Sequence, residues 1–159
     1  MKILIVEDDS YKYSKIAALL KDRFVEASLL HEDSVHDAVI YIRGHTPDLL
    51  ILDMSLPSHS LQAGQGNPVS MPAGGVEIIM ELKILGKTNI PIIVVTQYPD
   101  VEIEDEYYSI EESRGVISRL YKIENISVIY YDNDSSEWIE KFKDRKSTRL
   151  NSSHPSISY

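Results

Sequence analysis

Four short apolar segments constrain the fold of this chain more than any other feature of its sequence. Each is a continuous run of aliphatic or aromatic residues, and the runs are Ile3–Val6, Leu49–Leu52, Ile92–Val95 and Val128–Tyr131. Runs that are apolar on both faces are typical of parallel strands covered by helices on each side of the sheet. A weaker run, Val25–Leu30, predicts an edge strand.

The segments between these runs show the spacing of amphipathic helices. Apolar residues recur three or four positions apart in Tyr13–Phe24, Val35–Ile42 and Gly75–Leu82. Residues 102–122 are predicted to form a fourth, less regular helix, and a last helix around Trp138 follows Ser135 or Ser136, both good N-caps. This alternation predicts an α/β fold with a doubly wound, five-stranded parallel sheet in the strand order 2-1-3-4-5.

Composition excludes several classes of protein. The 159 residues suit one domain, and 25 acidic against 16 basic residues give a formal net charge of −9. Such a balance argues against direct contact with nucleic acid or an anionic membrane. The absence of cysteine excludes disulfides, thiolate zinc sites and cysteine nucleophiles. No apolar run approaches the roughly 20 residues of a membrane span, and no signal peptide precedes the first strand, so we expect a cytoplasmic location.

Acidic residues follow two of the predicted strands. Glu7 and Asp8 end the first strand, Asp53 ends the third, and Thr96 ends the fourth. Because the carboxyl ends of parallel strands meet at one edge of the sheet, these groups are expected to converge.

Converging carboxylates repel one another, and a divalent cation such as Mg²⁺, which prefers oxygen ligands, relieves that repulsion. An aspartate beside Mg²⁺ can attack phosphorus to give an aspartyl-phosphate, and Thr96 is placed to donate a hydrogen bond to the transferring group. Taken singly, Asp9 or Ser10 is better explained as a helix N-cap, and Asp53 is equally well explained as part of a turn.

Three motifs together resemble the receiver domain of two-component response regulators, the CheY-like family. They are Lys2–Asp9 (KILIVEDD), Pro47–Pro57 (PDLLILDMSLP) and Pro91–Thr96 (PIIVVT). The resemblance covers residues 1–143 and implies a flavodoxin-like (βα)5 fold.

The resemblance also implies a signalling role rather than an enzyme. Asp53 would accept a phosphoryl group from a histidine kinase or phosphotransfer protein, and Thr96 would bond the phosphoryl oxygen and move on activation. Glu7, Asp8 and Asp53, with the backbone carbonyl of Ser55, would hold Mg²⁺. The phosphorylated domain would then act on an output protein or domain that the sequence does not identify.

The chain departs from the family in three places. The family has a lysine at the end of strand five that pairs with the phosphoryl group, whereas no Lys or Arg lies between Ile123 and Glu140. Gln97 stands where the family has a smaller residue. Met54–Ala73 carries an insertion of about 14 residues, which is either a lid or partner loop or a surface insertion, since added loop length costs little.

Two alternatives stay open. The first is a phosphorylation-independent pseudo-receiver that serves only as an interaction module. The second is a Mg²⁺-dependent phosphodiester enzyme of the Toprim kind. That family places an Asp-x-Asp pair on its second acidic strand, whereas Asp53 is followed by Met54 and Ser55.

The end of the chain differs from the rest. Residues 144–159 are polar and serine-rich, and Asp144–His154 (DRKSTRLNSSH) resembles the translation of a common sequencing-library adapter. We therefore expect residues 144–159 to be a non-native tail that is not part of the folded domain.

Overall fold

The structure is a computed structural model that describes residues 1–61, 64 and 66–144. Its strands are β1 (Lys2–Val6), β2 (Ser28–Glu32), β3 (Leu49–Leu52), β4 (Leu56–Pro57), β5 (Ser70–Met71), β6 (Ile92–Thr96), β7 (Asp100–Ile103), β8 (Glu106–Ser109) and β9 (Ile126–Tyr130). Its helices are α1 (Ser10–Arg23), α2 (Val35–Gly44), α3 (Gly74–Ile84), α4 (Ile110–Tyr121) and α5, which occupies residues 137–144.

Five strands form a parallel sheet in the order β2-β1-β3-β6-β9. This is the predicted order 2-1-3-4-5, because the remaining four strands belong to two small antiparallel hairpins. Strand two lies at Ser28–Glu32 rather than at Val25–Leu30, and Val25 itself is exposed. The predicted doubly wound, flavodoxin-like fold is confirmed.

Helices cover both faces of the sheet, because alternate residues of a strand point to opposite faces. On the first side, which we call the α1 side, Ile3, Ile5 and Ile51 pack against α1 and α5. On the second side, the α2–α4 side, Leu4 and Leu52 are among the strand residues that pack against α2, α3 and α4. The strands are therefore buried from both directions, as their continuous apolar runs predict.

The prediction of a helix over residues 102–122 is wrong at its start. Strands β7 and β8 form an antiparallel hairpin there, and α4 begins only at Ile110. Val101 and Ile103 alternate with exposed or half-buried acids and are themselves buried, so the segment has the period of a strand. Glu104 and Asp105 adopt positive φ values of 51° and 69°, which is the backbone of a tight two-residue hairpin turn.

The insertion within Met54–Ala73 forms a small hairpin of its own where it joins the fold. Strands β4 and β5 pair, and the Ser58 backbone N–H donates to the Val69 carbonyl at 2.8 Å. The Ser58 carbonyl in turn accepts from the His36 N–H in the first turn of α2 at 3.0 Å. The insertion is thus tied to the N-terminus of α2.

Strands β2 and β9 are the two edges of the sheet. The Arg114 side chain of α4 lies along the start of β9, and its Nε donates to the Ile126 carbonyl at 2.8 Å. Among the described helices, none is long and apolar enough to cross a membrane. Residues 145–159, nearly all of the predicted non-native tail, lie outside the described residues.

Candidate functional site

The carboxyl ends of β1 and β3 bring three predicted site residues together. The Asp53 backbone N–H donates to the Val6 carbonyl at 3.1 Å. Glu7 and Asp53 therefore lie side by side, each directly after the end of its strand. Glu7, Asp8 and Asp53 each offer a carboxylate oxygen, and these oxygens lie within 4.8 Å of one another. Glu7 and Asp53 are buried, whereas Asp8 is exposed.

A buried lysine that the sequence analysis missed lies among these acids. The Lys12 Nζ is 2.7 Å from Glu7 Oε1 and 3.3 Å from Asp53 Oδ2, and its side chain is only 1% exposed. It also donates a hydrogen bond of 2.6 Å to the carbonyl of Val95 in β6. One ammonium group therefore connects the ends of β1, β3 and β6.

The local sequence explains why Lys12 points inward. Asp9 is the N-cap of α1, and its Oδ1 accepts from the backbone N–H groups of Tyr11 and Lys12. This cap, which the sequence offered as one explanation of Asp9, fixes where the helix begins and places Lys12 in its first turn. Ile16 and Leu20 follow Lys12 by four and eight residues, so the three side chains lie on the same buried face of α1.

Burial dominates the electrostatics of the two inner acids. Desolvation raises the pKa of Glu7, and the charge of Asp53 raises this pKa further, while Lys12 opposes the rise. The pKa of Asp53 is also raised by burial, against the lowering effects of Lys12 and of the Met54 N–H, which donates to Asp53 Oδ1 at 2.7 Å. The single ammonium thus compensates the two acids only in part.

The donor set fits a divalent, oxygen-preferring cation. With all groups ionised, Glu7, Asp8 and Asp53 carry three negative charges and Lys12 one positive charge, which leaves a formal charge of −2. Mg²⁺ favours carboxylate oxygens supplemented by water, and the exposed Asp8 provides the solvent-facing side of such a site. Glu7, Asp8 and Asp53 are the residues that would hold it.

Thr96 lies at the carboxyl end of β6 and is 1% exposed. Its Oγ1 accepts from the Tyr98 backbone N–H at 3.2 Å, and its carbonyl accepts from the Tyr131 N–H at 2.7 Å. Gln97, the next residue, is exposed. Thr96 is thus one residue beyond the carbonyl that holds Lys12, while its part in phosphoryl binding, like that of the Ser55 carbonyl, stays a prediction.

Gly75 sets the distance between the loop after β3 and helix α3. Its N–H donates to the Met54 carbonyl at 2.9 Å, and a Cβ at this position would lie 2.5 Å from the carbonyl oxygen of Asp53. Only glycine permits this approach. The insertion therefore rejoins the fold directly against the backbone of the candidate phosphoacceptor.

A groove of about 370 Å³ opens beside Thr96, between the base of the insertion and the β7–β8 hairpin. Met54, Ser55 and Pro72 line it from one side, and Tyr98 and Tyr107 from the other. The insertion and the hairpin, the two parts of the chain added to the simple strand–helix alternation, thus flank the same end of the sheet.

Comparison with known proteins identifies the family. Detocs response regulatory protein DtcB of Vibrio alginolyticus is 44% identical over 143 residues, an alignment that covers 87% of the chain and 95% of that protein. The chain belongs to the response-regulator family. No family model matches it.

Solved receiver structures show the same fold at low sequence identity. The phosphorylated cyanobacterial phytochrome response regulator RcpA superposes with a TM-score of 0.59 at 21% identity, covering 92% of the chain and 89% of that structure. A CheY-like receiver domain from Methanospirillum hungatei JF-1 gives 0.56 at 18% identity, covering 95% and 97%. Together with the 44% identical response regulatory protein, this shared fold confirms the predicted resemblance to CheY-like receiver domains.

Proposed function

We propose that this receiver accepts a phosphoryl group on Asp53 from a histidine kinase or phosphotransfer protein and signals through contacts with an output partner. The observation that carries the proposal is the convergence of Glu7, Asp8 and Asp53 at one sheet edge, with a buried ammonium between them. A structural role for Asp53 would require only that its buried charge be paired, whereas here three carboxylates meet at one place.

The transfer is a displacement at phosphorus. A carboxylate oxygen of Asp53 forms a bond to the phosphorus, and the bond from phosphorus to the donor histidine nitrogen breaks. The electron pair of the broken bond stays on that nitrogen, which takes a proton from solvent. Glu7, Asp8 and Asp53, with the Ser55 carbonyl, would hold Mg²⁺, and the ion would supply positive charge that neutralises the transferring oxygens.

The test is intact-mass measurement after incubation with Mg²⁺ and acetyl phosphate. We expect one phosphoryl-sized increase in the wild type and none in Asp53→Asn. Asp48→Asn is the matched control, because Asp48 caps the opposite end of the sheet through a hydrogen bond to the Lys2 N–H at 2.8 Å. Absence of any increase in the wild type at saturating donor would contradict the proposal.

A second candidate, the pseudo-receiver, is supported by the same lysine. Lys12 already bridges Glu7 and Asp53, and all three side chains are at most 5% exposed, so the inner site has a cation without any metal. A pseudo-receiver would bind its partner equally well as wild type, as Asp53→Ala and after metal removal. Binding that requires phosphorylated Asp53 would exclude this candidate.

A further inference from the structure

We infer that Lys12 is the cationic group that binds and positions the phosphoryl group on Asp53, a role that rests on the proposed phosphorylation of that residue. Phosphorylation places additional negative charge beside Glu7, in a part of the molecule nearly closed to water. Such charge must be matched by a nearby cation or hydrogen-bond donor, since burying it alone is strongly unfavourable.

Lys12 is in the required place. Its Nζ already contacts Asp53 Oδ2 at 3.3 Å, and the terminal oxygens of a phosphoryl group joined to that oxygen would lie only two bonds further. Asp53 Oδ1, by contrast, accepts from the Met54 N–H and faces its own backbone. The oxygen beside the ammonium is therefore the one whose modification Lys12 can stabilise directly.

The three contacts of Lys12 also allow it to change partner without leaving the site. An ammonium group has three donors, and here they are directed at Glu7, Asp53 and the Val95 carbonyl. The Val95 bond can hold the side chain in place while the Asp53 contact is replaced by a phosphoryl oxygen. The segment between Ile123 and Glu140 contributes no Lys or Arg, so strand β9 offers no competing cation.

The position of Lys12 links the site to the aromatic core of the α1 side. Its Nζ is 5.5 Å from the centre of the Tyr131 ring, a cation–π distance. Tyr131 packs against Trp138 at 4.8 Å between ring centres, and Trp138 is the chain's one tryptophan. We therefore expect a shift of Lys12 towards a phosphoryl group to alter the fluorescence of Trp138 through Tyr131.

The experiment compares Lys12→Gln with the wild type, using beryllium fluoride with Mg²⁺ as the phosphoryl mimic and calorimetry to measure affinity. Glutamine keeps a donor for the Val95 carbonyl but removes the charge, and Lys12→Arg tests rescue by a second cation. Lys21→Gln is the matched control, because Lys21 is an exposed lysine of the same helix. Circular dichroism establishes that each variant is folded, since Trp138 emission is expected to change with the contacts of Lys12 itself.

We expect Lys12→Gln to bind beryllium fluoride about tenfold or more weakly than the wild type, because a charged hydrogen bond to the mimic is lost. Mg²⁺ alone should bind this variant at least as tightly, since a positive charge has left its ligands. Lys12→Arg should recover part of the affinity, and Lys21→Gln should match the wild type. If Lys12 were purely structural, its substitution would not weaken binding of the mimic while leaving the affinity for Mg²⁺ intact.

Two results would overturn the inference, and they differ in what else they overturn. In the first, acetyl phosphate phosphorylates the wild type on Asp53, and Lys12→Gln binds beryllium fluoride as tightly as the unphosphorylated wild type does. The role of Lys12 is then wrong and the proposed function stands. If the wild type neither gains mass nor binds the mimic, both are wrong. Should Lys12→Gln fail to fold, the wild type decides: Trp138 emission should change when beryllium fluoride is added to the protein in saturating Mg²⁺, and no change would count against movement of Lys12 onto the mimic.

Discussion

The two faces of the central sheet are built differently, although the same five strands supply both. The α1 side combines aliphatic residues with a lysine and three aromatic rings, those of Tyr131, Trp138 and Phe142. The α2–α4 side is mainly aliphatic and carries both added hairpins, β4–β5 and β7–β8. The lysine of the site thus comes from the α1 side, whereas the two hairpins provide the surface beside the site on the α2–α4 side.

Removal of the Lys12 charge, on the α1 side, should give the largest loss of stability. Lys12→Met leaves Glu7 and Asp53 buried without their shared cation, and breaking such a pair costs about 3–5 kcal/mol. We expect urea unfolding to show this loss in the absence of Mg²⁺ and saturating Mg²⁺ to restore part of it. Lys21→Met, on the exposed face of the same helix, should unfold like the wild type; equal stability of both variants would refute the assignment.

On the α2–α4 side, the variant Ile103→Ala tests whether the β7–β8 hairpin is part of the core. Ile103 is 1% exposed, and truncation of a buried isoleucine to alanine costs roughly 2–5 kcal/mol. Tyr107→Ala on the paired strand is the control, because Tyr107 is 70% exposed and should contribute little. A similar loss in both variants would mean that the hairpin is stabilised as a surface element rather than through Ile103.

Gly75 and Gly115 provide a matched pair within the α2–α4 side. Gly75→Ala forces a Cβ against the Asp53 carbonyl and should cost about 1–3 kcal/mol, with reduced phosphorylation as the loop shifts. Gly115→Ala, in the middle of α4, meets no atom within 4 Å and should stabilise the protein by roughly 0.5–1 kcal/mol. Thermal unfolding distinguishes them by the sign of the change in melting temperature.

The smallest effect is expected at the junction of the hairpin and α4. Ser109 and Glu112 form a capping box, in which the Ser109 hydroxyl accepts from the Glu112 N–H and the Glu112 carboxylate accepts from the Ser109 N–H. Ser109→Ala should cost about 0.5–2 kcal/mol, while Ser118→Ala within the same helix should be close to neutral. Equal unfolding midpoints for these two variants would argue against the cap.

The sequence predicted the sheet and the acidic cluster because both depend on local composition. Uninterrupted apolar runs identify strands that are buried on both faces, and parallel topology then brings Glu7 and Asp53 to the same edge. The order of the five strands and the pairing of β1 with β3 match the prediction. These features needed no knowledge of which side chains meet across the core.

Lys12 could not be predicted in the same way, because a lysine in a helix is ordinarily exposed and only tertiary contacts decide otherwise. One signal was present: Lys12 precedes Ile16 by four residues and lies on the buried stripe of α1. The hairpin at residues 100–109 was missed because its acids are equally typical of a helical first turn. The alternation of Val101 and Ile103, together with the Ser109–Glu112 capping box, would have placed the helix start correctly.

The contact between Arg114 and the start of β9 has a consequence for self-association. An open edge strand is a template on which another chain can add a strand, and soluble proteins commonly block such edges with charged side chains. Here the guanidinium already binds the Ile126 carbonyl, so an incoming strand would have to displace it. Arg114 therefore both connects α4 to the edge strand β9 and opposes the addition of a further strand at this carbonyl.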